Sequence, residues 1–80
     1  MDNWILPRDP GAEREALVVT RAIWGDKAHV AYNVHSNVVE AQARSPLNYG
    51  SRLEVSVRGD STAQAARRLL CLLLAYRSEP

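Results

Sequence analysis

The chain has few of the residues that several kinds of site and architecture require. Its single cysteine, Cys71, excludes an intramolecular disulfide and a cysteine-rich zinc site. Its four glycines lie at separate predicted turns and form no glycine-rich phosphate loop. No apolar run reaches the roughly 18 residues that a membrane-spanning helix needs. At 80 residues the chain is too short for a Rossmann domain or a TIM barrel. We predict one domain, residues 1–80, without cofactor, metal site or membrane contact, in the reducing cytoplasm.

The charged residues are balanced in number and unusual in type. Ten basic and nine acidic residues give a net charge of +1, and Lys27 is the only lysine. The hydrophobic content of 46% is enough to form a core, which argues against a disordered chain. This net charge is far lower than that of a strongly basic nucleic-acid-binding domain.

Alternating apolar and polar side chains predict strands in the middle of the chain. The pattern covers residues 29–35, 39–44 and 52–58. Gly25-Asp26 suits a two-residue hairpin turn, and residues 35–37 suit a second turn because Asn tolerates the left-handed region. Residues 1–11 are predicted to be an irregular arm that packs on the domain through its apolar residues.

Residues 12–24 are compatible with a helix and with a strand. Ala12, Ala16, Val19 and Ile23 keep helical spacing, whereas the β-branched residues of 17–20 prefer a strand. We favour a strand over 16–24 because a Gly25-Asp26 hairpin needs a strand on both sides. Residues 12–58 would then form a β-meander.

A helix is predicted over residues 60–77, capped by Asp60 or Ser61, since no Gly or Pro interrupts residues 62–77. Its inward face is predicted to be Ala66, Leu69, Leu72, Leu73 and Tyr76. The fold class is thus α+β: an antiparallel meander of three or four strands with one C-terminal amphipathic helix packed on one face.

The sequence contains no recognisable catalytic group. His29 and His35 would lie roughly 20 Å apart on one strand, too far to share a metal ion. Glu40 and Glu54 are flanked by arginines and suit cross-strand salt bridges better than acid–base catalysis. Cys71 has no base near it in the chain, as a nucleophile would need. We therefore predict that the protein is not an enzyme.

Two sets of residues are candidates for binding a partner. The first combines arginines with one loop tyrosine, which suits phosphate or an acidic protein surface. Its members are Arg21, Arg44, Tyr49, Arg52, Arg58, Arg67 and Arg68. Of these, Arg21, Arg44, Arg52 and Arg58 are expected on the face of the sheet away from the helix. The second is an apolar patch on the outer side of the helix, formed by Cys71, Leu74 and Ala75, which could join two copies of the chain.

With residues 12–24 as a helix, the element order α-β-β-β-α resembles that of the double-stranded-RNA-binding domain. The last helix of that domain opens with a Gly-x-Ser-Lys-Lys-x-Ala-Lys type of sequence. Here Gly59, Ser61 and Ala65 match it, whereas the lysine positions hold Thr62, Ala63 and Ala66. The resemblance implies nucleic-acid binding, without the lysines that would hold phosphate.

With residues 16–24 as a strand, the chain resembles small phage anti-CRISPR proteins in size and element order. That resemblance covers residues 16–77 and includes the alanine-rich helix opening over 61–66. It implies a non-enzymatic, phage-encoded inhibitor that blocks a CRISPR effector by steric or allosteric binding. This is the favoured expectation. A small nucleic-acid-binding domain and a homodimeric, antitoxin-like protein are the alternatives, and both monomer and homodimer stay open.

Overall fold

A computed structural model describes residues 5–47 and 52–78 of the chain. Helix α1 spans Pro10–Trp24 and helix α2 spans Thr62–Ser78. Between them lie strands β1 (His29–His35), β2 (Val38–Arg44) and β3 (Glu54–Gly59). The strands form one antiparallel sheet in the order β1-β2-β3. The predicted α+β class, with a C-terminal helix packed on an antiparallel meander, is confirmed.

The predicted strand over residues 16–24 is wrong, because this segment belongs to α1. The Asp9 side chain caps the helix by accepting a hydrogen bond from Ala12 N at 3.1 Å, and Pro10 begins its first turn. Gly25 ends the helix with φ 99° and donates its N–H to Arg21 O at 2.8 Å. Gly25-Asp26 is therefore a helix end rather than a hairpin turn, and the meander begins at His29.

The turn between β1 and β2 is confirmed at Ser36-Asn37. Both residues have positive φ, 48° and 69°, as the two central positions of a type I′ hairpin require. This short turn fixes the register, in which His35 pairs with Val38 and His29 with Arg44. The register continues into β3, where Arg44 pairs with Glu54.

Both helices pack on the same face of the sheet. The core residues that they share with β2 are Ala16, Val19, Val39, Ala41, Ala43, Ala65, Leu69 and Leu73. Half of these are alanines, so the layers approach closely. One such close contact is at Gly59, where an added Cβ would lie 2.6 Å from Ala65 N.

Helix α2 is rotated relative to its predicted inward face. Ala66, Leu69 and Leu73 are buried as expected, whereas Leu72 and Tyr76 are 43% and 45% exposed. The Tyr76 ring instead packs against Trp24 at the end of α1, with ring centroids 6.1 Å apart. Contact with α1 turns α2 so that the flank carrying Leu72 stays outside the core.

The segment before α1 joins the start of α2. Thr62 N donates to Ile5 O at 2.8 Å, and Ala63 N donates to Pro7 O at 2.9 Å. Ile5 N in turn donates to Thr62 Oγ1 at 3.2 Å. The arm thus packs on the domain through the Ile5 side chain and through backbone hydrogen bonds, whereas Leu6 is 73% exposed. Trp4 lies outside the described residues. Over residues 5–47 and 52–78, neither helix combines the length and the hydropathy needed to cross a membrane.

Candidate functional site

The face of the sheet opposite the helices carries a network of paired charges. Arg44 Nε lies 3.1 Å from Glu54 Oε1, and Arg58 Nε lies 3.9 Å from Glu40 Oε2. Gln42 links the two pairs, since its Nε2 donates to Glu40 Oε1 at 2.9 Å and its Oε1 accepts from Arg44. Arg44 and Arg58 are thus on the sheet face as predicted. Their charges are balanced by carboxylates on the neighbouring strands.

The other predicted arginines are not part of this network. Arg21 lies on α1, where its Nε donates to Ala28 O at 3.2 Å, so its predicted place on the sheet is wrong. Arg52 is exposed just before β3. Tyr49 lies outside the described residues. The structure therefore does not bring the seven residues of the first predicted set into one site.

Arg67 and Arg68 lie on the exposed side of α2, near its start. Arg67 Nε donates to Asp9 Oδ2 at 2.7 Å, and Arg68 Nη1 donates to Arg58 O at 2.9 Å. The Ala12 backbone N–H and then the Arg67 side chain hold the pKa of Asp9 below its usual value, against an opposing effect of burial. The Asp9 carboxylate thus caps α1 and also forms an ion pair with Arg67 of α2.

The N-terminus of α2 is occupied by groups from the chain itself. Ile5 O and Pro7 O accept its first N–H groups, and Ser61 Oγ accepts from Gln64 N at 3.1 Å. The positions aligned with the phosphate-holding lysines of the RNA-binding resemblance, Thr62, Ala63 and Ala66, are all buried. A helix N-terminus binds an anion through free N–H groups, and here those groups are used internally.

An open groove of about 840 Å³ lies between α2 and β3. We call it the α2–β3 groove, and its lining residues are Val57, Ser61, Gln64, Arg67, Arg68, Cys71, Leu72 and Ala75. Val57, Cys71, Leu72 and Ala75 supply apolar surface, and the polar residues border it. Leu72 was predicted to lie in the core, so its place in this groove differs from the prediction for α2.

The second predicted set is only partly brought together. Cys71 and Ala75 line the groove, as their shared position on the helix predicts. Leu74 is also exposed and lies about 60° around the helix axis from Cys71, but it does not line the groove. The three residues of the predicted patch are thus exposed neighbours on α2, and two of them belong to the groove.

Other potentially reactive groups are dispersed. His29 and His35 are exposed at opposite ends of β1, and Cys71 is an exposed free thiol. Among residues 5–47 and 52–78, no three His, Cys, Asp or Glu side chains are grouped as a metal site would need. Burial raises the pKa of Tyr32 to about 12, and the Glu13 carboxylate acts in the same direction.

Comparison with protein families, with curated proteins and with solved structures found no match to this chain. Support for a function has to come from the chain's own residues, and the α2–β3 groove is the feature that offers most of it.

Proposed function

We propose that this protein acts by binding another protein through the α2–β3 groove, without catalysing a reaction. The observation that carries the proposal is the exposed apolar surface of Leu72, Cys71 and Ala75 beside the arginines Arg67 and Arg68. Protein interfaces commonly have an apolar centre and a polar rim, with arginine enriched among their residues.

The charge distribution supports a protein partner over a phosphate backbone. Four arginines of the described segments form ion pairs with carboxylates of the same chain: Arg8 with Glu13, Arg44 with Glu54, Arg58 with Glu40 and Arg67 with Asp9. Non-specific nucleic-acid binding depends on basic groups that displace counterions from phosphates. Arginines that are already paired contribute less to such binding.

A finer form of the proposal is that the partner belongs to a prokaryotic defence complex, which the protein inhibits. This form draws on the resemblance to anti-CRISPR proteins. It is supported by the size of the chain and the alanine-rich opening of α2, residues 61–66. The four-strand order that contributed to the resemblance is not found, because α1 occupies the place of the first strand.

The experiment is a pull-down with tagged protein from a prokaryotic lysate that contains a CRISPR effector, with and without nuclease. Leu72→Asp places a charge in the α2–β3 groove, and Leu74→Asp is the matched control. The two leucines are 43% and 42% exposed on the same helix. We expect a protein partner that survives nuclease, is lost with Leu72→Asp and is kept with Leu74→Asp. Equal capture by both variants would contradict the groove assignment. Mass spectrometry of the retained species then tests whether a CRISPR effector is the partner.

A nucleic-acid-binding domain is the second candidate, favoured by the observed α-β-β-β-α order. Its binding would fall steeply with salt, because each neutralised phosphate releases counterions. Fluorescence anisotropy with double-stranded RNA over a salt series measures this slope. Tight binding with a steep slope would replace the first proposal. Binding that is absent or insensitive to salt would contradict the second.

A further inference from the structure

Within residues 5–47 and 52–78, strand β3 pairs with β2 on one side and with no strand on the other, so its outer side is an open strand edge. Val57 of the same strand lines the α2–β3 groove. Ser45 N donates to Leu53 O at 2.9 Å, and backbone groups alternate in direction along an antiparallel strand. The backbone groups of Glu54, Ser56 and Arg58 therefore point away from β2. The side-chain bond from Arg68 to Arg58 O, on the outer side, agrees with this assignment.

We propose that β3 pairs antiparallel with β3 of a second copy of this chain, about a two-fold axis at Ser56. The inference rests on the proposed function, since it takes the α2–β3 groove as a protein-binding surface. It names a second copy of this chain, in place of a component of a defence complex, as the occupant. Closed two-fold dimers are the commonest homo-oligomers, and they require a surface that complements itself. The charges along β3 meet that requirement.

The sequence of β3 is complementary to itself in one register. Pairing about Ser56 places Glu54 of each copy opposite Arg58 of the other, with Val55 opposite Val57. In this register, residues whose backbone groups point away from β2 lie opposite each other. Their N–H and C=O groups can therefore form hydrogen bonds between the two copies. The new charge pairs would extend the existing Arg44–Glu54 and Arg58–Glu40 pairs across the junction of the two sheets.

Neighbouring registers are disfavoured by charge and by hydrogen bonding. A shift of one residue places a residue whose backbone groups point towards β2 opposite one whose groups point away from β2, so the hydrogen bonds between the copies cannot form. A shift of two residues in one direction places Arg58 opposite Arg52 of the second copy. The same shift in the other direction places Glu54 opposite Asp60. Like charges that face each other directly across a strand pair are destabilising, so the register about Ser56 is selected.

The helix side of the junction is apolar. In this register Val55 of the second copy lies beside Val57, on the face of the sheet that carries α2. Val57 is part of the groove, whose remaining apolar surface comes from Cys71, Leu72 and Ala75. Arg68 donates to Arg58 O, and a carbonyl oxygen has a second lone pair that can accept the N–H of the second copy.

The test is the mass in solution of two charge-reversed variants, alone and mixed. We expect the wild type to reach twice the chain mass of 8.9 kDa by light scattering. Glu54→Arg leaves two basic residues on the edge and Arg58→Glu leaves two acidic ones, so each alone is expected to be monomeric. An equimolar mixture is expected to recover the dimer mass, which also shows that both variants fold. Arg14→Glu and Glu15→Arg, on exposed positions of α1, are the matched controls and should stay dimeric.

Three results would overturn the inference: a monomeric wild type at every concentration, dimers of either edge variant alone, or a mixture that stays monomeric. A monomeric wild type that still captures another protein through Leu72 would leave the proposed function standing.

The register is tested separately with Ser56→Cys in a Cys71→Ser background, oxidised by dissolved oxygen. Paired Cα atoms about 5.5 Å apart are within disulfide range, so a covalent dimer is expected. Ser36→Cys, in the exposed β1–β2 turn, should give none.

Discussion

Replacing Gly59 by alanine tests how closely α2 lies over the end of β3. The new Cβ would lie 2.6 Å from Ala65 N and 3.0 Å from Ala65 Cα, both backbone atoms of α2. Favourable contacts lie near about 3.5 Å, so α2 has to move by about 1 Å. Overpacking of this kind costs about 3 kcal/mol, and the lower chain entropy of alanine offsets about 0.5–1 kcal/mol. We expect a net loss of about 2 kcal/mol.

This loss is large for a domain of 80 residues, whose total stability is about 4–12 kcal/mol. It corresponds to a fall in Tm of about 8–16 °C. Urea unfolding followed by circular dichroism measures the free energy, and an unchanged m-value shows that the transition is comparable. Gly11→Ala is the control, because its Cβ would meet only Asp9 Oδ1 at an ordinary 3.5 Å within helix α1. It should raise stability by about 0.5–1 kcal/mol. Equal stability of Gly59→Ala and wild type would refute the close packing of α2 on β3.

Two further predictions follow from shifted pKa values. The pKa of Asp9 is lowered in the fold, so the stability that depends on its charge is present above about pH 4 and is lost as the pH falls through the folded value. Asp9→Asn keeps a capping oxygen but loses the ion pair with Arg67, so its stability deficit in urea should shrink below about pH 4. A deficit that does not change with pH would contradict this. The pKa of Tyr32 is about 12 in the fold and about 10 in the unfolded chain. The corresponding stability is complete below about pH 10 and is lost as the pH rises towards 12. In an absorbance titration of the three tyrosines, Tyr32→Phe should remove the step at the highest pH. Loss of a step near pH 10 instead, the ordinary value for an exposed tyrosine, would argue against a buried Tyr32 hydroxyl.

The parts of the fold that local patterns determine were predictable from the sequence. Strict alternation gave the three strands, Ser36-Asn37 gave the turn between β1 and β2, and Ser61 gave the cap of α2. Each of these depends on residues within a few positions of one another. The predicted strand over 16–24 was wrong because Gly25-Asp26 was interpreted as a hairpin turn, whereas Gly25 ends a helix that the spacing of Ala12, Ala16 and Val19 already indicated.

The parts that contacts between distant residues determine were not predictable. Asp9 and Arg67 are 58 positions apart, and nothing in either neighbourhood indicates that they pair. The exposure of Leu72 depends on where α1 lies against α2, which the sequence of α2 alone does not contain. The α2–β3 groove was missed for that reason, although Cys71 and Ala75 had been selected as apolar residues on a polar side of the helix.

The contact between the N-terminal arm and α2 affects how the chain can fold. The first N–H groups of α2 are satisfied by Ile5 O and Pro7 O, more than fifty positions earlier in the sequence. Helix α2 also supplies Leu69 and Leu73, the largest side chains of the core. No earlier segment can therefore complete its packing before α2 has been synthesised. Because closing such long loops is entropically costly, we expect folding slower than that of a helical bundle of this size. Native structure should then form in one cooperative step that joins both ends of the described chain.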